Sequence, residues 1–144
     1  MEPGVDVVDF RESDLSSAWA LWLGTGWNEK YQVSEAEFAR SWRQSPISKC
    51  IRSDGRVIAM ARAVSDGVMY AMVHDVVVDS GFRGTGLGAK LIRALLDELQ
   101  ASGVRCIQLM SAENQSAFYE KLGFEARPAN KPGMEFRSGQ QAGC

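Results

Sequence analysis

Residues 68–99 have the sequence VMYAMVHDVVVDSGFRGTGLGAKLIRALLDEL, in which an apolar run, a glycine-rich segment and an apolar stripe follow one another. The run at 68–79 is interrupted by His74 and Asp75 and otherwise predicts a central strand buried on both faces. From residue 87 to 99 the apolar residues recur with a period of 3.6, which predicts a helix packed on a sheet. The segment therefore predicts a strand, a glycine loop and a helix in succession.

Upstream of this segment the sequence predicts helices and an antiparallel meander. Two dipeptides of hairpin type, Asp54-Gly55 and Asp66-Gly67, separate runs with strand character. A capping box of Ser34 and Glu37 predicts the start of a helix. The predicted elements are a strand at 5–10, a helix capped by Ser13 and ended by Gly24 and Gly26, the helix that follows Ser34, and strands at 49–53, 56–64 and 68–79.

Downstream, Gly103 is a natural stop for the long helix. A strand at 104–110, a helix at 115–122 and a final strand at 134–137 follow. The order of elements predicts an α+β fold with a mixed, mostly antiparallel twisted sheet flanked by helices on both faces. The step from the run at 68–79 through the helix to 104–110 predicts a parallel, right-handed crossover.

Length and composition narrow the class of protein. The 144 residues predict a single domain at 1–137 followed by a frayed polar tail at 138–144. With 45% hydrophobic and 24% charged residues, the chain has the composition of a globular protein and not of a disordered or fibrous one. The net charge of -2 argues against nucleic acid as a partner, because such binding normally rests on a basic excess.

Cysteine usage and hydropathy exclude further classes. Cys50, Cys106 and Cys144 form no C-x-x-C spacing, so neither a metal site nor a disulfide framework is expected. No segment approaches the roughly 18 apolar residues of a membrane span, so no membrane partner is expected. Because the start, MEPGVDVVDFRESD, is acidic and lacks a long apolar segment, we expect no targeting segment and a cytoplasmic location.

The glycine loop at 80–90 has the position and composition of an anion-binding site. Amides in the first turn of a helix lack intrahelical partners and the helix dipole favours negative charge there. Glycines allow a pyrophosphate to approach the backbone, and Arg83 can add a charge-assisted contact. The spacing does not match the P-loop, because Gly88 is not followed by Lys and Ser or Thr. It also departs from the dinucleotide fingerprint, since it is G-x-G-x-G. A tight turn without a ligand is the remaining alternative.

Two short motifs, RGTGLG at 83–88 and FYEKLGF at 118–124, resemble the hallmarks of the GNAT superfamily of acyl-CoA-dependent N-acetyltransferases. The order of elements over nearly the whole chain is similar to that superfamily as well. A narrower resemblance, carried by MARAVSDG at 60–67, HDVVVD at 74–79 and PGM at 132–134, is to a branch described as arylalkylamine (serotonin) N-acetyltransferases of plastids and bacteria. That branch suggests a small primary amine as the acceptor.

The resemblance implies a binding site for acetyl-CoA without a metal. The backbone of the strand before the loop would contact the pantetheine arm, the Val77 amide would polarise the thioester carbonyl, and the loop amides would hold the pyrophosphate. Tyr119 matches the tyrosine that protonates the departing thiolate, and its alternative is a buried aromatic residue with a satisfied hydroxyl. The implied cofactor-binding residues are Val76, Val77, Val78, Arg83, Gly84, Thr85, Gly86, Leu87, Gly88 and Tyr119.

Direct attack of an amine on a thioester also needs a proton acceptor, because an aliphatic amine is mostly protonated at neutral pH. His74 and Asp75 are the candidates. Strand side chains alternate, so the two are expected on opposite faces, with at most one directed at the amine. Either could instead be structural, and a water chain could carry the proton.

The acceptor side is less determined by the sequence. Trp27 and Tyr31 lie in the loop between the first two helices, where they form either a packed corner or the wall of an aromatic or hydrophobic amine pocket. The position seven residues before Tyr119, an asparagine in many family members, is Ala112, so Asn114 is expected to cap the next helix rather than to bind the cofactor.

The expected function is acetyl transfer from acetyl-CoA to a small primary amine in a ternary complex, by a monomer or a homodimer. The alternatives are a noncatalytic acyl-CoA-binding or sensing module and a protein-lysine or N-terminal acetyltransferase.

Overall fold

The computed structural model of the chain describes residues 5–137, 139 and 144. The elements, in chain order, are β1 (Val8–Asp9), α1 (Leu15–Leu23), α2 (Asn28–Tyr31), α3 (Glu35–Arg43), β2 (Ile47–Ser53), β3 (Arg56–Ser65), β4 (Tyr70–Val78), α4 (Leu87–Ala101), β5 (Cys106–Leu109) and α5 (Ser116–Glu120). Single 3-10 turns at Glu12–Asp14 and Ser80–Phe82 precede α1 and α4. No helix among the described residues has both the length and the apolarity needed to cross a bilayer.

The five strands form one sheet in the order β1-β2-β3-β4-β5. All neighbours are antiparallel except β4 and β5, which are parallel. This confirms the predicted meander and the parallel step through α4. The turn between β2 and β3 is the expected one, because Asp54 and Gly55 both have positive φ (52° and 75°), as a two-residue hairpin of the right twist requires.

The second hairpin is longer than its Asp66-Gly67 signal predicts. The Asp66 Oδ1 atom accepts hydrogen bonds from the amides of Val68, Met69 and Tyr70 at 2.7–3.2 Å. These amides are held by the loop, so β4 begins at Tyr70 rather than at residue 68. The prediction that β4 is buried on both faces is also wrong, since both Tyr70 and His74 are exposed.

Helices cover both faces of the sheet, as predicted. On one face, Leu91, Leu95 and Leu99 of α4 pack against β2, β3 and β4. On the other, Trp22 of α1 and Phe38 and Trp42 of α3 form the aromatic half of a second core, which includes Met60 and Val77. The apolar stripe of α4 is buried except for Leu96, which is half-buried, and Gly103, with φ +81°, follows the end of the helix.

The capping box of α3 is confirmed, because the Ser34 hydroxyl accepts from the Glu37 amide (3.1 Å) and the Glu37 carboxylate accepts from the Ser34 amide (2.9 Å). Two other expected caps are wrong. Helix α1 starts after Asp14, because Ser13 lies within the preceding 3-10 turn, and α5 starts after Gln115, because Asn114 adopts a left-handed conformation with φ +61°.

Three further elements differ from the predictions. The first strand is confined to Val8–Asp9, where it pairs with β2, and the expected loop before α3 contains the short helix α2. No strand forms at 134–137: Met134 and Phe136 are 87% and 89% exposed, and this segment pairs with no strand of the described sheet. An apolar residue at every second position is therefore not sufficient to form a strand where no sheet edge pairs with the segment. Most of the expected tail, residues 138 and 140–143, lies outside the described residues.

Candidate active site

Strand β4 carries a bulge at Asp75, which has φ +53°. His74 lies opposite Arg62 of β3, whereas Val77 lies opposite Met60, so that Asp75 and Val76 together face the single residue Ala61. One extra residue in a strand interrupts the alternation of side chains. The face of the sheet on which the Asp75 side chain lies therefore does not follow from simple alternation.

His74 and Asp75 share one face of the sheet, and the prediction that they lie on opposite faces is wrong. The Arg62 side chain extends toward α3, where it donates to Ser45, and directly opposed residues of antiparallel strands share a face. His74 is thus on the face covered by α1 and α3. Asp75 reaches the same face, because its carboxylate binds Trp22 of α1. The two side chains share a face because the extra residue of the bulge interrupts the alternation of the strand.

Both carboxylate oxygens of Asp75 accept hydrogen bonds. Trp22 Nε1–H donates to Oδ1 (3.2 Å), and Arg62 Nε–H donates to Oδ2 (2.6 Å). Arg62 Nη1 in turn donates to the Ser45 hydroxyl (3.0 Å), and its guanidinium carbon lies 5.9 Å from the centre of the Trp42 ring. Asp75 is therefore one end of an ion pair that joins the sheet to both covering helices.

Arg62 is the residue of this network that sequence reasoning missed. A signal was present, because Arg62 is the only charged residue in the run VIAMARAV at 57–64. A charged side chain on a buried strand requires a partner. The partner could not be assigned, because the face that Asp75 occupies depends on the bulge.

His74 is exposed, in contrast to Asp75. Its pKa lies below the ordinary value, because the surrounding protein partly desolvates the ring and because the Arg62 guanidinium is close, while the Asp75 carboxylate acts in the opposite direction. A lowered pKa means that the ring is neutral at pH 7, and a neutral imidazole has a nitrogen lone pair that can accept a proton.

Tyr31 belongs to the aromatic group beside Asp75. Its ring stacks on Trp22 with the centroids 6.5 Å apart, and its side chain is 49% exposed. Burial of its inner part raises the pKa of the hydroxyl, as do nearby anionic groups that include Asp75. Trp27, by contrast, lies exposed at the start of α2 and stacks on none of the described rings of this group. The structure brings Tyr31, but not Trp27, into contact with the network.

The sheet opens beyond the bulge. Strand β5 pairs with β4 only from Tyr70 to Val73, and it ends at Leu109. The edge of residues 76–78 that faces away from β3 consequently has no strand partner among the described residues. The Asp79 amide donates to the Ile58 carbonyl (2.7 Å), so the Val77 amide two residues earlier also points to β3, and the sequence-based expectation that it polarises a ligand carbonyl does not fit this register. Unpaired backbone groups at such an edge are donors and acceptors for an extended ligand, which would add to the sheet as a further strand does.

The glycine loop links this open edge to the start of α4. Asp79 holds its first turn by accepting from the Gly81 amide (2.9 Å), and Arg83 Nε donates to the Val78 carbonyl (3.2 Å). Gly84 and Gly86 have φ of +79° and +84°, values that other residues adopt at a cost. The loop therefore requires glycine at these two positions for conformational reasons.

Helix α4 presents its first amides without a capping side chain. Gly86 is the N-cap and supplies none, and the first bond within the helix is donated by Lys90 to the Gly86 carbonyl. The amides of residues 87–89 precede that bond. Their orientation and the helix dipole make this end of α4 a site for an anion such as a phosphate. The sequence-predicted residues from Arg83 to Gly88 thus lie together at one helix start.

Helix α5 contacts the same helix start. A Cβ at Gly88 would lie 3.3 Å from the Phe118 ring and 3.6 Å from the Val78 side chain. Tyr119 packs edge-on against Phe118 (5.0 Å between centroids) and Phe124 (5.9 Å), and its partial burial raises the pKa of the hydroxyl. The hydroxyl is therefore protonated at neutral pH and able to donate a proton.

Two other features do not belong to this site. A cleft of about 410 Å³ lies at the β1 end of the sheet, where Phe10, Trp42 and Glu98 are among its lining residues, and none of residues 74–88 lines it. Across the described part of the chain, no group of three or more His, Cys, Asp or Glu side chains is arranged to hold a metal ion.

The fold and the loop define a class of proteins that bind an extended, phosphate-bearing ligand at an opened sheet edge, and comparison with known proteins identifies the family. The model of the Acetyltransferase (GNAT) family matches residues 13–124. The chain belongs to this family.

Relatives differ in how much of their length the chain covers. A Serotonin N-acetyltransferase 2, chloroplastic, of Oryza sativa subsp. japonica is 43% identical over 90 residues, which are 62% of this chain and 45% of that protein. The chain thus spans less than half of that relative. A Glucosamine 6-phosphate N-acetyltransferase of Trypanosoma brucei brucei is 35% identical over 138 residues, which cover 84% of this chain and 92% of that protein.

A solved structure has a similar fold. The crystal structure of a Trypanosoma brucei acetyltransferase superposes with a TM-score of 0.73 at 30% identity, over 92% of this chain and 99% of that chain. Members of the family use acetyl-CoA as cosubstrate. The opened edge of β4 and the start of α4 are where the geometry of this chain suits such a ligand.

Proposed function

We propose that this protein transfers the acetyl group of acetyl-CoA to the primary amine of a small molecule, by direct attack within a ternary complex. One observation carries the proposal: the free edge of residues 76–78 runs directly into the glycine-lined start of α4, while the Asp75 carboxylate on the same strand lies beside aromatic rings of α1 and α2. This combination suits a ligand with an extended arm and a diphosphate, next to a site for a cationic amine.

The residues present fit acetyl-CoA. Positive φ at Gly84 and Gly86 turns the chain into α4, and a Cβ built at either position meets no atom within 4 Å. The backbone therefore stands open to an approaching phosphate, and the uncapped amides of residues 87–89 would donate to it. Residues 76–78 would hold the pantetheine arm by backbone hydrogen bonds.

The chemistry assigned to the chain has three parts. When bound, acetyl-CoA supplies a thioester carbonyl. A backbone amide that points to the free edge of residues 76–78 would donate to the carbonyl oxygen as negative charge develops there, which lowers the barrier. The Val77 amide is not that donor, because it points to β3. As the new C–N bond forms and the C–S bond breaks, the Tyr119 hydroxyl would give its proton to the sulfur, and His74 or Asp75 would take the proton that the amine releases.

The acceptor side supports an aromatic or hydrophobic amine. The exposed Tyr31 ring lies over the buried Trp22 ring beside the Asp75 carboxylate, and an aromatic ring together with a carboxylate attracts an organic cation. The name of the Oryza sativa relative, a serotonin N-acetyltransferase, agrees with an arylalkylamine, whereas that of the Trypanosoma brucei brucei relative points to an amino sugar phosphate.

The proposal is tested by following release of the CoA thiol from acetyl-CoA with a panel of acceptors. The panel contains arylalkylamines such as tryptamine, an aliphatic diamine, glucosamine 6-phosphate and a lysine peptide. We expect turnover with the arylalkylamines and the acetylated amine as the product in mass spectrometry. Tight binding of acetyl-CoA without turnover on any acceptor would overturn the enzyme assignment in favour of a binding module. Turnover on the peptide alone would overturn the small-molecule assignment.

A further inference from the structure

We propose that Arg62 is a positioning residue for the transfer reaction: it binds the Asp75 carboxylate as a fixed ion pair and thereby leaves His74 as the group that accepts the amine proton. This inference rests on the proposed function and decides between the two candidate bases. Its evidence is the arrangement of Arg62, Asp75 and His74 around the bulge of β4.

The Arg62 guanidinium is held on three sides. Nε donates to Asp75 Oδ2 (2.6 Å), Nη1 donates to Ser45 Oγ (3.0 Å), and the Trp42 ring centre lies 5.9 Å from the guanidinium carbon. Ser45 is itself fixed, because its hydroxyl donates to the Ser41 carbonyl of α3 (2.9 Å). With only 17% of its side chain exposed, Arg62 is oriented by its surroundings.

The Asp75 carboxylate is already occupied by protein donors. Its two oxygens already accept from Trp22 and Arg62, and its side chain is 18% exposed. Proton transfer to Asp75 would work against the contact that attaches α1 to β4. Asp75 therefore acts on the site as a fixed negative charge.

His74 is directly across from Arg62 and is open to solvent. The charged groups that act on its ring are Arg62 on β3 and Asp75 on β4. Tyr31 of α2 is a further titratable group of this region, and Cys144 and Glu135 of the C-terminal segment act on it together with Asp75. The lowered pKa of His74 agrees with this arrangement, because it leaves the ring neutral and ready to accept a proton near pH 7.

The proton balance of the step is complete. The bound ammonium first releases one proton to solvent, which gives the amine its lone pair. A ring nitrogen of His74 then takes the second proton as the amine nitrogen bonds to the acetyl carbon. The C–S bond breaks, and the Tyr119 hydroxyl protonates the sulfur. Solvent then removes the proton from His74 and returns one to Tyr119. Arg62 exchanges no proton and acts only through its contacts and its charge.

A titration of His74 by NMR tests the proposal without acetyl-CoA or an amine. The chain contains a single histidine, so its ring proton signal is unambiguous. Removing the positive charge in Arg62→Gln should raise the pKa of His74 by about 0.5–1 unit, and removing the negative charge in Asp75→Asn should lower it by a similar amount. Arg43→Gln is the matched control, because Arg43 forms its ion pair with Glu12 on another part of the molecule; it should leave the titration unchanged.

The same variants give a second readout in the transfer reaction. The acid limb of the pH profile of kcat/KM should follow the pKa of His74, so it should move to higher pH in Arg62→Gln and to lower pH in Asp75→Asn. His74→Gln should lower kcat about 100-fold at pH 7. Asp75→Asn removes the charge that attracts the amine, so it should raise KM for the amine and lower kcat less than His74→Gln does.

An unchanged His74 titration in folded Arg62→Gln would overturn the proposal, and so would a loss of kcat in Asp75→Asn that exceeds the loss in His74→Gln. If Arg62→Gln fails to fold, Asp75→Asn carries the test alone. In that case, the absence of a downward shift in the pKa of His74 would overturn the proposal. Failure of the proposed function has a different signature: no acceptor is acetylated, while the NMR shifts remain.

Discussion

Replacement of Gly86 by alanine should impair both folding and acetyl-CoA binding. Gly86 has φ +84°, and an L residue pays about 1–2 kcal/mol in this left-handed region. Alanine also makes the unfolded chain less flexible, which returns about 0.4–1 kcal/mol. A Cβ at this position meets no atom within 4 Å, so no clash adds to the cost. The free energy of unfolding should therefore fall by about 1 kcal/mol.

The same Cβ would stand where a phosphate approaches the amides of residues 87–89. Loss of about 1.4 kcal/mol of that contact corresponds to a tenfold weaker affinity. Urea denaturation measures the first effect and calorimetric titration with CoA measures the second. Gly86→Ala should thus lower the urea midpoint and raise the Kd for CoA about tenfold.

Gly103→Ala is the matched control for this prediction. Gly103 follows the other end of α4, with φ +81° and equally open surroundings. The Gly103→Ala variant should lose the same stability as Gly86→Ala and keep the wild-type affinity for CoA. An unchanged Kd in Gly86→Ala, or an equal loss of affinity in Gly103→Ala, would refute the assignment of the phosphate site.

The remaining predictions concern single contacts. Tyr119→Phe should lower kcat about 100-fold with an unchanged Kd for CoA, because only the proton donor is lost; equal activity in the steady-state assay would remove Tyr119 as the acid. Asp14, 3% exposed, is desolvated, yet its hydrogen bonds to Arg52 and to the Arg11 amide lower its pKa on balance. Its stabilising effect should be complete above the unfolded-chain pKa of about 3.9 and be lost as the pH falls through the lower folded-state pKa. Asp14→Asn should lower the free energy of unfolding, measured by urea denaturation at pH 7, by about 3 kcal/mol. In this variant the stability should also fall less as the pH is lowered. If it falls with pH as much as in the wild type, the ion pair is contradicted. Ser34→Ala should cost about 1 kcal/mol, since it removes the cap of α3, and a loss below half that value would argue against the capping box.

Local signals predicted the parts of the fold that local chemistry determines. The turn at Asp54-Gly55 needs two residues with positive φ, and the start of α3 needs the Ser34 and Glu37 pair, so both could be placed from sequence. The buried stripe of α4 likewise follows from spacing alone. The glycine loop was placed correctly at a strand-to-helix junction, because Gly84 and Gly86 mark the positions where the backbone turns.

Contacts between residues that are distant in the chain determine the parts of the site that the sequence did not predict. The bulge at Asp75 is supported by partners 13 and 53 residues away, Arg62 and Trp22, and no local pattern contains them. An error of one residue in alternation then reversed the face expected for Asp75 relative to His74. The segment at 134–137 failed for a related reason, because a strand forms only where a neighbouring edge accepts it.

A crystal structure of the protein with CoA tests the central claim most directly. The account predicts the diphosphate within hydrogen-bonding distance of amides in the loop and first turn at residues 84–89, those of 87–89 included, and the pantetheine arm along the free edge of residues 76–78, with its sulfur near Tyr119. CoA bound elsewhere, for example in the cleft beside Trp42, or an arm that makes no backbone contact with β4, would contradict it.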